Sequence, residues 1–231
     1  MLWIPGVDEI PLSILAVEEG GLVSVAVKNV GQATKALHEK KEGQIIGLRG
    51  PFGNSFSMVK GSVLMVAGGT GTAPLVFLTS RLLPRITKGV FVLGAKTKSE
   101  LIFMNHLKES FNRTQVRLIS STEDGTCGIT GLCTKPVEEI LAKETFNIVY
   151  TCGPEKMVRK VFELSEGVRT NLEASLERLM RCSIGICGSC TIGKYRVCAD
   201  GPVFASKQLR EVKSEFGSSK RDRTGREIPL D

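Results

Sequence analysis

The chain is 231 residues long, 42% hydrophobic and 24% charged, an ordinary globular balance with length enough for one large or two modest domains. Its net charge of +7 comes from 31 basic residues scattered among 24 acidic ones; the densest run, "SKRDRTGRE" (219–227), is broken by Asp222 and Glu227 and holds no aromatic residue, which argues against a nucleic-acid platform and for a solvated or docked tail. No apolar run approaches the ~18–20 residues of a membrane span, and Asp8 and Glu9 fall where a secretory leader would stay apolar, so a cytoplasmic protein is expected.

Residues 1–60 read as β structure. "LSILAVEEGGLVSVAVKNV" holds two strand-like runs about a Glu-Glu-Gly-Gly turn at 18–21. "GQATKALHEKKEG" (31–43) reads as a short helix ending at Gly43, and "QIIGLRGPFGNSF" (44–56) as a strand followed by a Gly/Pro loop. Gly31, Ala33 and Thr34 would then stand at a helix N-terminus, either as phosphate contacts or as an ordinary turn and cap.

Residues 61–164 change character. "SVLMVAGGTGTAPLVFLTSRLL" (62–83) is an apolar strand, a glycine turn and a helix. "GVFVLGAK" (89–96) and "TQVRLISST" (114–122) are further strands, and "NIVYTCGPEKMVRKVFEL" (147–164) repeats the strand–turn–helix pattern. Apolar strands alternating with helices predict a doubly wound parallel sheet. "AGGTGTAPL" lacks the last glycine of a G-x-G-x-x-G and the Lys-Ser/Thr of a P-loop, so a plain strand–helix turn competes with a dinucleotide turn built on Gly69, Thr70, Gly71 and Pro74. The "YTCGPEKM" turn should lie at the same sheet edge, so the two can bracket one ligand, with Cys152 facing its reactive end.

Residues 165–231 hold the cysteine cluster and a polar tail from 205 onward. Four of the seven cysteines fall in "RCSIGICGSCTIGKYRVCADGPVF" (181–204). Cys182, Cys187, Cys190 and Cys198 are separated by four, two and seven residues. That is the plant-type [2Fe–2S] pattern of three thiolates from one wrapped loop and a fourth beyond it. Ser183, Gly185, Gly188 and Ser189 are small enough to let backbone N–H groups approach the sulfides. A zinc site, whose ligands usually come as two close pairs, and a pair of disulfides are the competing readings. Cys127 and Cys133 read as small apolar or loop residues.

A nicotinamide exchanges electrons in pairs and an iron–sulfur cluster exchanges them singly. A chain with both sites calls for a flavin between them, and the β-rich N-terminal part is the place left for it.

"GPFGNSF", "AGGTGTAPL" and "YTCGPEKM", in that order, resemble the ferredoxin–NADP reductase superfamily. "ERLMRCSIGICGSC…VCADGPVF" and the opening "WIPGVDEIPLSI" narrow the resemblance to the electron transfer subunits of two-protein, NAD-linked dihydroorotate dehydrogenases. The resemblance covers essentially the whole chain. It implies an α/β protein with an incomplete N-terminal antiparallel β-barrel part (1–60) for FAD, a doubly wound NAD-binding domain (61–164) and a small [2Fe–2S] domain with a tail (165–231). It further implies electron flow from the FMN of a catalytic subunit through the cluster and FAD to NAD+, in pyrimidine (UMP) synthesis, within an assembly of two subunits of each kind, with no part in binding dihydroorotate.

Carried onto this sequence, the family's flavin motif falls on Ile10, Pro11, Leu12 and Ser13, its strand contacts near Val27 and Lys28, and its phosphate contacts near Gly31, Ala33 and Thr34. The dinucleotide turn falls on Gly69, Thr70, Gly71 and Pro74, with Cys152, Gly153 and Pro154 near the nicotinamide, and the cluster ligands on Cys182, Cys187, Cys190 and Cys198. Three departures stand out. The motif's arginine is absent, with Glu9 and Ile10 there instead. The last cluster spacing is short. Only about 60 residues precede the dinucleotide half where a flavin barrel with its linker takes around 90–100, so some 30 residues of the first barrel strands are expected to be missing. Lys96 and Lys98 could meet a 2′-phosphate or be solvated loop residues, and the resemblance favours NAD. A flavin subunit of a ferredoxin:NADP or sulfide reductase or of a soluble hydrogenase, and a zinc-stabilised binding module, are the alternatives.

Overall fold

Residues 1–230 are described in a computed structural model. The chain opens with β1 (Leu2–Ile4) and β2 (Asp8–Ile10), passes through a ribbon of β3 (Ile14–Val17) and β4 (Val23–Val25) and the helix α1 (Gln32–His38), and returns in β5 (Gly47–Leu48). β1 lies between β2 and β5 and is antiparallel to both, while β3 and β4 pair only with each other. Leu2, Ile4 and Ala33 form a small core with Ile10, Leu12, Val25, Ala36 and Leu37 around it. Among the described residues these strands make two open sheets, not a closed barrel. Apolar side chains stay uncovered here: Trp3 is 50% exposed and Leu48 66%.

The centre is one seven-stranded sheet. It is built by β6 (Gly61–Gly68), α2 (Thr72–Leu82), β7 (Ile86–Ala95), α3 (Met104–Phe111), β8 (Val116–Thr122), β9 (Ile129–Thr130), α4 (Thr134–Lys143), β10 (Ile148–Cys152), α5 (Glu155–Gly167) and β11 (Leu172–Ser175). The last part adds β12 (Thr191–Ile192), β13 (Tyr195–Arg196), α6 (Val197–Asp200), β14 (Val203–Ala205), α7 (Ser206–Glu211) and a hairpin of β15 (Ser219–Arg221) and β16 (Glu227–Pro229). The sheet order is β14-β11-β10-β6-β7-β8-β9, parallel throughout except for β14.

Period-two alternation sorts the buried strands onto two faces. Val63, Met65 and Ala67 of β6 pack with Leu75 and Leu78 of α2 and Leu107 and Phe111 of α3. Leu64 and Val66 face Val137 and Leu141 of α4 and Val158 and Phe162 of α5. Helices on both faces explain why these strands read as continuous apolar runs. The chain winds outward from β6 on one side and from β10 on the other, so the crevice between their carboxyl ends is the topological switch point.

The cysteine segment does not stand apart from this body. β14 joins the central sheet, and Cys190, Ile192, Cys198, Phe204, Leu209 and Phe216 belong to the same core as α4 and α5. The stretch from 205 onward, expected as a polar tail, instead forms α7 and the β15–β16 hairpin. Its turn is closed by Asp222, whose Oδ1 accepts from the amides of Thr224 and Arg226 and from the Thr224 hydroxyl. Polar turn chemistry, invisible to a search for apolar periodicity, shapes this element.

The loop after β5 is fastened to the opposite end of the chain. Asn54 donates through Nδ2 to the carbonyls of Asp200 (3.2 Å) and Val203 (2.9 Å), and its Oδ1 accepts from the Val203 amide at 2.9 Å. The Asn54 amide donates to the Gly201 carbonyl at 2.6 Å. Asn54→Ala removes the three side-chain bonds and is expected to cost about 2–3 kcal/mol, at about 1 kcal/mol each. A denaturant midpoint unchanged from wild type would show that the loop's own amide suffices.

Candidate functional site

Two turns meet at the switch point. The first runs over Gly69–Gly71 between β6 and α2; the second is Cys152–Pro154 between β10 and α5. They interlock through absent side chains. A Cβ on Gly71 would lie 2.5 Å from the Gly153 nitrogen and 2.6 Å from the Cys152 carbonyl, and one on Gly153 would lie 2.9 Å from the Gly68 nitrogen. Gly71 therefore makes room for the neighbouring turn. Gly69 is the open position: it sits at φ +54° and a Cβ there meets nothing within 4 Å. The Thr72 hydroxyl donates to the Gly69 carbonyl at 2.8 Å and holds the turn. Pro74 stands in the first turn of α2, where a missing N–H costs nothing.

Cys152 is 9% exposed, and burial pushes its thiol from 9.0 to about 12, with the Ser175 hydroxyl pulling weakly the other way. It is thus a neutral thiol at the crevice. Cys133, buried beneath Gly94, is pushed up to about 11 by the same cause. Unfolded thiols ionise from 9.0 while these two stay protonated. They therefore favour the fold fully below pH 9 and progressively lose that contribution toward pH 11–12. Melting temperature is expected to fall from about pH 9 upward, and Cys152→Ala to flatten the fall. An equal fall in that variant would assign the alkaline loss to other groups.

At the ends of β7 and β8, Lys96 and Lys98 are exposed. The loop after β8 folds across them: the amides of Glu123 and Asp124 donate to the carbonyls of Ala95 and Lys96 at 3.1 and 3.2 Å. Hydrogen bonds from Thr126 hold the Asp124 carboxyl below its ordinary range.

The cysteine loop runs between β11 and β12. Backbone amides tie the cysteines two and two, Cys187 to Cys182 and Cys198 to Cys190, with Cys182 also near enough to act on the Cys198 thiol. Among the described residues no three Cys, His, Asp or Glu side chains converge on one point. This grouping suits two metal ions with two thiolates each. The amides of Ile186 and Cys187 both donate to Cys182 Sγ at 3.4 Å, and the Cys198 amide donates to Cys190 Sγ at 3.4 Å. Backbone donation, first from Cys187, lowers the Cys182 thiol to about 6. Ser183 sits at φ 61° and is 2% exposed, and its buried Oγ has no partner. A stranded hydroxyl next in sequence to Cys182, with amides aimed at sulfur, is what a sulfide-bearing cluster would use.

The flavin positions are more mixed. Ile10, Leu12 and Ala33 serve the small N-terminal core. Pro11 and Ser13 lie between β2 and β3. Thr34 Oγ1 accepts from the amides of Val30 (2.9 Å) and Gly31 (3.0 Å), so the start of α1 is capped by its own side chain. The Val27 carbonyl is bound by His38 Nε2 at 3.0 Å, and Lys28 reaches Glu100 at 3.6 Å, across to the central sheet's loops. Asn54 was not anticipated as a structural residue, because its partners lie far off in sequence, and Ser183 was anticipated for its small size and not for its buried hydroxyl.

Residues 177–210 match the iron–sulfur cluster binding domain of dihydroorotate dehydrogenase B, and residues 65–163 match the oxidoreductase NAD-binding domain. The chain is 40% identical over 230 residues to a probable dihydroorotate dehydrogenase B (NAD(+)) electron transfer subunit of Methanocaldococcus jannaschii, covering 99% of this chain and 85% of that one. It is equally 40% identical to the protein of the same name from Pyrococcus furiosus, covering 100% and 86%. The chain belongs to the family of dihydroorotate dehydrogenase B electron transfer subunits. Among solved structures it is similar to an NADH-dependent reduced ferredoxin-NADP oxidoreductase studied for flavin-based electron bifurcation, with 31% identity, a TM-score of 0.77 and coverage of 89% of this chain and 76% of that one. In this electron transfer subunit family the cluster-binding match coincides with the paired thiols, and the NAD-binding match contains both switch-point turns. No helix among the described residues is long and apolar enough to cross a membrane.

Proposed function

We propose that the chain takes electrons from the FMN of a separate dihydroorotate dehydrogenase catalytic subunit and delivers them, through a [2Fe–2S] cluster and FAD, to NAD+ in pyrimidine synthesis. The observation that carries this is the pairing of the four thiols in a loop that shares one core with an NAD-type crevice. Cys182 and Cys187 would hold one iron, Cys190 and Cys198 the other, with Ser183 and the amides of Ile186 and Cys187 facing the sulfurs. Gly69 to Pro74 and Cys152 to Pro154 would hold the dinucleotide. The N-terminal sheets, with Pro11, Ser13 and the residues from Val27 to Thr34, would hold the flavin, chiefly through backbone. When bound, the flavin supplies the conversion between electron pairs and single electrons.

The chain's own contributions are positional and electrostatic. The interlocked turns keep the α2 N-terminus, the positive end of its dipole, beside the open space over Gly69, where a pyrophosphate can lie. Cys152, held neutral, adds no charge next to a nicotinamide whose own charge changes in the reaction. Asp124 lies ionised across the ends of β7 and β8; a carboxylate there suits ribose hydroxyls and opposes a 2′-phosphate, which supports NAD over NADP. We read the assembly as two catalytic and two electron transfer subunits, working in the cytoplasm.

The test has two stages. The anaerobically purified chain is expected to show a [2Fe–2S] signal on reduction and bound FAD, with iron and flavin counted. With the catalytic subunit added, dihydroorotate should then reduce NAD+. Zinc in place of iron would sink the redox reading. A cluster and flavin without dihydroorotate-dependent NAD+ reduction would favour a ferredoxin-linked reductase, the reading to which the 31% identical solved relative lends weight.

A further inference from the structure

Arg49 stands just beyond β5, in the N-terminal part of the chain, yet its guanidinium reaches the cysteine loop. Nη1 donates to the Cys182 carbonyl at 3.1 Å and Nη2 to the Arg181 carbonyl at 3.4 Å. The other edge grips Glu9 on β2, with Nε to Oε1 at 2.5 Å and Nη2 to Oε2 at 2.8 Å. The group lies over the Phe52 ring, 5.1 Å from its centroid. Its own backbone is pinned as well, because its amide and carbonyl exchange hydrogen bonds with Met1 at 3.1 and 3.0 Å. Four of the five donors are thus engaged by a fixed fork, a geometry that lysine cannot copy.

We propose that Arg49 and Glu9 set the reduction potential of the iron held by Cys182 and Cys187. The inference rests on the cluster reading of the four cysteines. Reduction adds one negative charge to the cluster. A fixed cation bonded to the carbonyl of a ligand residue favours that charge, and it draws electron density from the Cys182 peptide in the same sense. Glu9 opposes it from the far side of the guanidinium. A second cation against this loop, Arg196, donates to the Gly185 carbonyl at 3.0 Å but is largely matched by Asp200, which takes both its amide and its Nε, and the Arg181 guanidinium turns to the Arg223 carbonyl at 2.6 Å. Arg49 also joins the sheet proposed for the flavin to the loop proposed for the cluster, so the same contact fixes their separation.

The two members of the pair make opposite predictions. Arg49→Gln is expected to lower the cluster potential and Glu9→Gln to raise it, each by on the order of a tenfold change in the reduced-to-oxidised ratio at fixed potential, ~59 mV for one electron. Arg49→Lys keeps the charge and should stay nearer to wild type than Arg49→Gln. The readout is an EPR-monitored redox titration of the full chain, with iron and flavin counted for each variant. A strut without electrostatic effect would move Arg49→Gln and Glu9→Gln in the same direction, since both break one ion pair; that result, or unchanged potentials with the cluster intact, overturns the proposal. If Arg49→Gln fails to hold iron, the sign of the Glu9→Gln shift decides by itself. Lack of iron in the wild-type chain would instead overturn the cluster reading on which this rests.

Discussion

Cys190→Ser is expected to strip the cluster and also to destabilise the metal-free chain, whereas Cys187→Ser should do only the first. The difference is burial. Cys190 is 2% exposed, its Sγ accepts the Cys198 amide, and it packs in the main core with Ile192, Val197 and Phe204. A serine hydroxyl there is smaller and more polar, and burying it with imperfect partners costs about 1–3 kcal/mol. Cys187 is exposed and its thiol donates to the Ser189 hydroxyl at 3.3 Å, so a serine changes little in the empty loop. Both remove one of four thiolates, and metal-binding energy in such a loop counts toward folding. Iron per chain and the melting temperature of the metal-free forms separate the two effects. Full iron in Cys190→Ser would strike it from the ligand set. Equal destabilisation by both variants would contradict the burial argument.

Gly71→Val should be the more damaging change at the crevice. Its Cβ alone would stand 2.5–2.6 Å from the backbone of Cys152 and Gly153, and backbone cannot rotate away. The turns after β6 and β10 must part, which opens the core beneath them at a cost of about 1–3 kcal/mol or more. NAD(H) affinity should fall at least tenfold while the cluster's spectrum persists. Gly69→Ala is the control. It meets no atom, so only its left-handed backbone is penalised, by about 1–2 kcal/mol, and any loss of affinity beyond the stability change reports ligand crowding. Titrating NADH into both variants checks this. Wild-type affinity in Gly71→Val would mean that the two turns do not jointly form the site.

The features legible in the sequence were those written in short-range pattern. β6, β7, β8 and β10 were found because both faces are covered and their apolar runs are unbroken, and the two turns because glycine and proline punctuate them. The cysteine spacing alone pointed to the right metal chemistry, since a loop of small residues has few ways to present three thiols. Elements that depend on distant partners were missed. β9 and β14 are two and three residues long and exist only as ladder partners of β8 and β11. The β15–β16 hairpin is too charged to announce a strand. That the turn after β10 lies against Gly71 was not foreseen, because no local rule reports a neighbour so far off in sequence. The ion pair of Lys28 with Glu100 likewise depends on a distant partner and was not foreseen.

The clasp between Asn54 and residues 200–203 has a further consequence for how such proteins can be built and rearranged. It joins positions 149 residues apart, and Gly53 lies so close to Gly201 that no side chain fits between them. The cysteine segment therefore lacks the self-sufficiency of a cassette: grafted alone onto another reductase, it would arrive with the carbonyls of Asp200, Gly201 and Val203 bare. A successful transplant would have to carry the early loop with it as a matched half. On the ribosome, likewise, that half is made first and must wait for nearly the whole chain before its counterpart appears.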